Sequence, residues 1–179
     1  MGMPKALVEV RGRPLLESQL DALAGFGQRI VVLGAHAAEI RQVLGERLTG
    51  AHVVENPDWS TGRSASFRLA FAAVSDAAKA IVVTGVDQPL QAETLAALLA
   101  AFEPDVHSYA VPMVGDRRGH PLLLSARLLE PQLRGLGDDT TLRAILEPFA
   151  AAAIAVSVES LASLANLNTP TDVARFEKP

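Results

Sequence analysis

Two oxygen donors and one cation mark where this sequence can do chemistry. The segment Val83-Thr84-Gly85-Val86-Asp87-Gln88-Pro89 carries an apolar run out into an acid, and the proline then ends the extended stretch. A carboxylate at that point faces the crevice where open α/β sheets bind ligands. It suits Mg²⁺, which takes hard oxygen ligands and keeps substrate phosphates in its shell. The same position also suits a helix N-cap or a turn residue, and position alone leaves both open. The second donor lies in Leu164-Ala165-Asn166-Leu167-Asn168-Thr169-Pro170-Thr171-Asp172. There a short strand is expected to end at Asn168, whose amide oxygen can ligate a hard cation or cap the helix that Thr-Pro begins. The cation is Lys5 in Met1-Gly2-Met3-Pro4-Lys5. A lysine this near a glycine can meet a phosphate or simply be solvated.

Two polar loops add to this set. Asn56-Pro57-Asp58-Trp59-Ser60-Thr61-Gly62-Arg63-Ser64-Ala65-Ser66 leads into a helix whose N-terminus can receive an anion. Gly115-Asp116-Arg117-Arg118-Gly119-His120-Pro121 carries two arginines and a histidine. Each also reads as an ordinary surface turn.

The elements that must position these residues alternate. Residues 29–34, 51–55 and 80–84 are short β-branched runs that read as strands. Residues 36–48, 64–74 and 91–102 place apolar side chains at helical spacing. Strands alternating with helices imply βαβ units and a mostly parallel sheet covered on both faces. The second half is less regular. Strands are expected at 108–113, 121–125, 153–158 and 164–167, and helices at 126–133, 140–146 and 170–176, the last with Pro170 at its first position. The expected class is α/β, a three-layer, Rossmann-like open sheet in a single domain over 1–179.

Composition narrows the function. Of 179 residues, 49% are hydrophobic and 20% charged, which excludes a disordered chain. A net charge of −4 speaks against a nucleic-acid groove. The absence of cysteine removes disulfides, thiolate zinc sites and cysteine nucleophiles, and fits a reducing compartment. No apolar run is long enough to span a membrane, and the N-terminus shows no apolar signal region, so a cytoplasmic location is expected. Neither G-x-G-x-x-G nor a P-loop is present, nor a G-x-S-x-G elbow. The four histidines are scattered, without the H-E-x-x-H spacing of a zinc site.

Six segments in order resemble the molybdenum-cofactor nucleotidyltransferase family over nearly the whole chain. They are MGMPKALVEVRGRPLL, ENPDWSTGRSASFRLAF, VDQPL, RRGHPLLLS, GDDTTLRAIL and NLNTPTDVARF. The resemblance implies a nucleotide-diphospho-sugar-transferase type of fold and transfer of CMP or GMP from an NTP to molybdopterin or a related phosphorylated acceptor, with release of pyrophosphate. It implies that Lys5 and Asp87 are catalytic, with Lys5 neutralising the triphosphate. Asp87 and Asn168 would hold Mg²⁺. Asn56, Gly62, Ser64 and Ser66 would touch the nucleotide, and Arg117, Arg118 and His120 the acceptor. VDQPL and RRGHP are similar to the cytidylyl branch and NLNTP to the guanylyl branch, so CTP and GTP both stay open. The partners implied are that NTP, a molybdopterin-type acceptor and, in a maturation role, a molybdoenzyme. A non-catalytic nucleotide- or cofactor-binding protein is the alternative.

Two departures bear on these expectations. Asn168 stands where many relatives carry Asp, and a neutral ligand should hold Mg²⁺ less tightly. The family also has a strand and a Gly-rich loop of the form L-A-A-G-x-S-x-R directly before M-G, whereas here Met1 and Gly2 stand where that loop ends. Residues before Pro14 are therefore expected to be poorly ordered or displaced, and the chain as given to lack nucleotidyl transfer. Asp87 is expected exposed at the carboxyl end of a central strand, in the main cleft, with its oxygens free or on a metal.

Overall fold

In the computed structural model, which describes residues 3–137 and 140–178, the chain opens with a 3-10 turn at Lys5–Leu7 and a hairpin, β1 (Glu9–Val10) and β2 (Arg13–Pro14). Arg11 and Gly12 at the tip both take positive φ, 52° and 75°, as two-residue hairpin loops that match strand twist require. For residues 3–13 the expectation of poor order is corrected here. Ala6 and Leu7 join a core with Leu16, Leu20, Val31, Leu33, Ile40 and Leu44, while Val8 and Val10 pack on Leu15 and Leu167. Burying this apolar surface is what holds the segment in place.

The alternating elements follow: α1 (Leu15–Ala22), β3 (Ile30–Leu33), α2 (Ala37–Leu44), β4 (His52–Glu55), α3 (Arg63–Ala72), β5 (Ala80–Val83) and α4 (Ala92–Ala101). Then come β6 (Tyr109–Val114), β7 (Arg117–Arg118), β8 (Leu122–Ser125), α5 (Glu130–Arg134), α6 (Leu142–Leu146), β9 (Ile154–Ser157) and α7 (Pro170–Phe176). Strands β3 and β4 pair in parallel, Ile30 opposite His52 and Leu33 opposite Glu55. A five-stranded mixed sheet runs β5-β8-β6-β7, with β9 also on β6. In it β5, β6 and β9 share one sense, and β7 and β8 oppose them.

Period-two alternation makes three layers of this sheet. Ile81, Val83, Tyr109, Val111, Leu122 and Leu124 face one core with Phe67, Phe71 and Leu133. Ala80, Val82, Ala110 and Leu123 face the other, with Leu98 of α4 and Phe102 just after it. The fold is thus α/β and Rossmann-like. Among the described residues, however, β5 has β8 as its sheet neighbour and all four of its residues are half-buried. It lies at a sheet edge, which corrects the expectation of a central strand.

Two further expectations change. In place of a helix over 126–133, α5 begins at Glu130, because the Leu128 N–H donates to Ser125 Oγ (3.0 Å) in a turn. Pro131, which has no N–H to donate, sits in the helix's first turn, where none is needed. The expected strand at 164–167 is a 3-10 turn at Leu161–Leu164 followed by unpaired extended chain. Its backbone groups bond to loops instead of a ladder: His120 N donates to Ser163 O (2.9 Å) and Leu167 N to Asp87 O (2.8 Å).

Candidate active site

The Lys5 ammonium donates to Asp87 Oδ2 at 2.9 Å and to Asn168 Oδ1 at 2.5 Å. One cation thus gathers both oxygen donors singled out from the sequence. Asp87 is 9% exposed. The expectation of an exposed carboxylate with free oxygens is corrected: its Oδ2 is committed to an ion pair, because the 3-10 turn at Lys5–Leu7 is anchored in the core beside it.

Each arm of the site is braced by its own hydrogen bonds. After β5 the chain turns through Gly85–Gln88, where Gln88 N donates to Gly85 O (3.0 Å) and Gly85 N donates to Gln88 Oε1 (2.8 Å). A Cβ at Gly85 would stand 2.8 Å from Asp87 Oδ1, so glycine is required for this carboxylate to fold back over the turn. The other arm is a capping box. Asp172 N donates to Thr169 Oγ1, and Asp172 Oδ2 accepts from the Thr169 and Asn168 N–H groups. The Thr169 hydroxyl, followed by the Thr169 N–H, holds the Asp172 carboxyl below its usual range against a smaller opposing effect of burial. Two bonds stitch the arms together: Gln88 Nε2 donates to Asn166 Oδ1 (3.2 Å) and Leu167 N to Asp87 O (2.8 Å).

The expected acceptor cluster divides. Arg117 and Arg118 are exposed on β7, paired with Met113 and Val114 of β6. The ring of His120 turns inward, and neither of its nitrogens completes a hydrogen bond. Burial lowers its pKa, with the Ala165 carbonyl and the Asp87 carboxylate pulling the other way. His120 therefore belongs to the Asp87 side, and the arginines to an exposed hairpin.

The residues expected at the nucleotide have partners of their own. Asn56 is 3% exposed, donates to Ser66 Oγ (2.9 Å) and accepts from Asp58 N (2.9 Å). Its amide thus ties the chain after β4 to the Ser66 hydroxyl in the first turn of α3. Ser64 Oγ donates to Thr140 O (2.9 Å), and Gly62, at φ 128°, precedes α3. The side-chain hydrogen bonds of Asn56, Ser64 and Ser66 run within this segment and to Thr140, away from Lys5, Asp87 and Asn168. Met1, Gly2 and, within GDDTTLRAIL, Asp138 and Asp139 lie outside the described residues.

Two hard oxygens that already accept from one cation are a donor set suited to Mg²⁺ or Mn²⁺. Among the described residues no group of three or more acidic, histidine or cysteine side chains converges. The protein would therefore supply few ligands and leave room for phosphate oxygens.

The residue that reading the sequence missed is Gln19. It is 5% exposed on α1, and its Nε2 donates to Gly85 O (2.8 Å) and Gln88 O (2.7 Å). The available signal was a polar residue on an otherwise apolar stripe with Leu15, Leu16 and Leu20.

Residues 1–156 match the family model of a MobA-like NTP transferase domain. The chain is 33% identical over 151 residues to nicotine blue oxidoreductase of Paenarthrobacter nicotinovorans, covering 80% of this chain and 72% of that protein. Rv0371c of Mycobacterium tuberculosis H37Rv matches with a TM-score of 0.81 and 28% identity over 99% of this chain and 90% of that one. Its complex with manganese gives 0.77 and 28% identity over 97% and 91%. No helix among the described residues is long and apolar enough to cross a membrane.

Proposed function

Because the chain belongs to the MobA-like NTP transferase family, we propose that it moves CMP or GMP from an NTP to a phosphorylated acceptor of the molybdopterin type, with release of pyrophosphate. The observation that carries this reading is the Lys5 ammonium held between Asp87 and Asn168. A terminal phosphate oxygen of the acceptor attacks the α-phosphorus in line. The α–β phosphoanhydride bond breaks, and pyrophosphate leaves with the electron pair. The attacking oxygen is already anionic, so no general base is needed. The work of the protein is to align two polyanions and offset their charge.

Lys5 does this as a point charge on the triphosphate. Asp87 and Asn168 would hold Mg²⁺ or Mn²⁺, which when bound supplies electrophilic stabilisation of the phosphoryl oxygens. The manganese complex of Rv0371c supports the choice of a divalent ion. Gly62 and Ser64, beside the N-terminus of α3, are assigned to the nucleotide. His120, neutral and short of hydrogen-bond partners, is assigned to the acceptor, with Arg117 and Arg118 meeting its phosphate at the rim. Asn56 and Ser66 support that loop from within.

The test is pyrophosphate release with each NTP, Mg²⁺ and molybdopterin. Release with CTP or GTP that is lost in Asp87→Ala supports the proposal. Nucleotide binding without any turnover, also when a Gly-rich segment of the family's form is placed before Met1, would favour a non-catalytic binding protein instead. One relative is named as an oxidoreductase, so reduction of a dye by the purified protein is the second arm of the same screen.

A further inference from the structure

We propose that Gln19 is a positioning residue for the cation site, fixing the angle at which the turn after β5 presents Asp87. The proposal rests on reading Asp87 and Asn168 as cation ligands. Position 19 is buried on the α1 stripe between Leu16 and Leu20. An aliphatic side chain there would simply extend the core, so packing does not account for an amide. What accounts for it is the pair of carbonyls it faces. The two hydrogens of one Nε2 are spent on Gly85 O at 2.8 Å and Gln88 O at 2.7 Å, the residues that bracket Val86 and Asp87.

The clamp reaches beyond the turn. Gln88 also bonds Asn166 through its side chain, so fixing its backbone fixes the bridge to the Asn168 arm. Val86 packs on the same cluster as Leu16 and Leu20. Helix α1 thus holds the turn by an apolar contact and two hydrogen bonds, and it does so without touching the cation. Groups that orient ligands from behind commonly change metal affinity by about 10–100-fold when removed.

The test is Mn²⁺ binding without nucleotide, followed by the electron paramagnetic resonance signal of free Mn²⁺. Gln19→Met is expected to bind Mn²⁺ about tenfold more weakly, and pyrophosphate release by this variant should recover when Mn²⁺ is raised in proportion. Ser108→Ala is the control. It removes a buried hydrogen bond to Phe149 O (2.8 Å) at the start of β6, the end of the sheet away from Asp87, and should bind Mn²⁺ as the unaltered protein does. Gln19→Ala, which lets water reach the two carbonyls, gives the same direction of change if the methionine variant does not fold. Mn²⁺ affinity in both Gln19 variants within twofold of the unaltered protein, while Asp87→Asn abolishes binding, would overturn the role of Gln19 alone. Equal weakening in Ser108→Ala would do the same. Unchanged binding in Asp87→Asn would overturn the cation reading and the role of Gln19 with it.

Discussion

Lys5 and Asp87 stand 82 positions apart in the chain and 2.9 Å apart in the fold. The same ammonium reaches Asn168, 163 positions away. Before any substrate arrives, then, the cation assigned to the triphosphate rests on the two oxygens assigned to the metal.

From this contact follows a competition. An ammonium lying on both oxygens must yield them to an incoming divalent ion. Lys5→Met should therefore bind Mn²⁺ more tightly without nucleotide, even as it loses transfer. The pair is partly open to solvent, with the lysine side chain 40% exposed, and such pairs contribute about 0.2–1 kcal/mol. That corresponds to roughly a one-and-a-half- to fivefold gain in affinity. Weaker binding in the variant would mean that Lys5 braces the ligands and does not compete for them.

Asp87→Ala should lower transfer by at least about 10²-fold, the usual cost of removing one preorganised electrostatic element. Its effect on stability should be small. Lys5 keeps Asn168 and can also turn to water, so a loss of about 1 kcal/mol or less is expected, a shift of roughly 2–4 °C or less in Tm for a chain this size. A large drop in Tm with transfer preserved would make Asp87 a structural residue.

His120 gives the protein an acid limit. Burial lowers its pKa in the fold, whereas the unfolded chain takes up the proton at its ordinary value of 6.5. The unfolded state then binds more protons below that pH, so stability is complete above about 6.5 and falls as pH drops toward the folded value. Urea unfolding at pH 8 and pH 5.5 should show this loss, and His120→Gln should reduce it. An identical pH dependence in the variant would contradict the assignment.

Asn56→Ala should act on the fold first. It removes two hydrogen bonds of Asn56, one to the half-buried Ser66 hydroxyl and one from the exposed Asp58 N–H, each a net contribution of about 0.5–1.5 kcal/mol. Thermal unfolding should register it as a drop of several degrees, and the KM for NTP should rise only as far as the 56–66 loop loosens. A large rise in KM at unchanged Tm would restore Asn56 as a direct nucleotide contact.

The sequence by itself determined what depends on near neighbours. Short β-branched runs placed β3, β4 and β5, and apolar residues at helical spacing placed α3 and α4, within a residue or two, because burying strands and one face of each helix demands these patterns. Thr169-Pro170 marked the start of α7 by its own capping chemistry. Lys5, Asp87 and Asn168 were visible as candidates because an acid, an amide and a lysine stand where elements begin or end.

Only the tertiary structure decided how these local pieces met. It placed Lys5 on both oxygens, turned Asn56 toward Ser66, and divided RRGHP into an exposed hairpin and an inward-facing histidine. It also gave Gln19 a task in a turn 66 positions away. Sequence periodicity reports which face of an element is buried. It does not report which distant loop supplies the partner for a buried carbonyl or carboxylate. That choice is made when α1, β5 and the 164–168 segment pack together, since each polar group enclosed by the packing must find its hydrogen bond there.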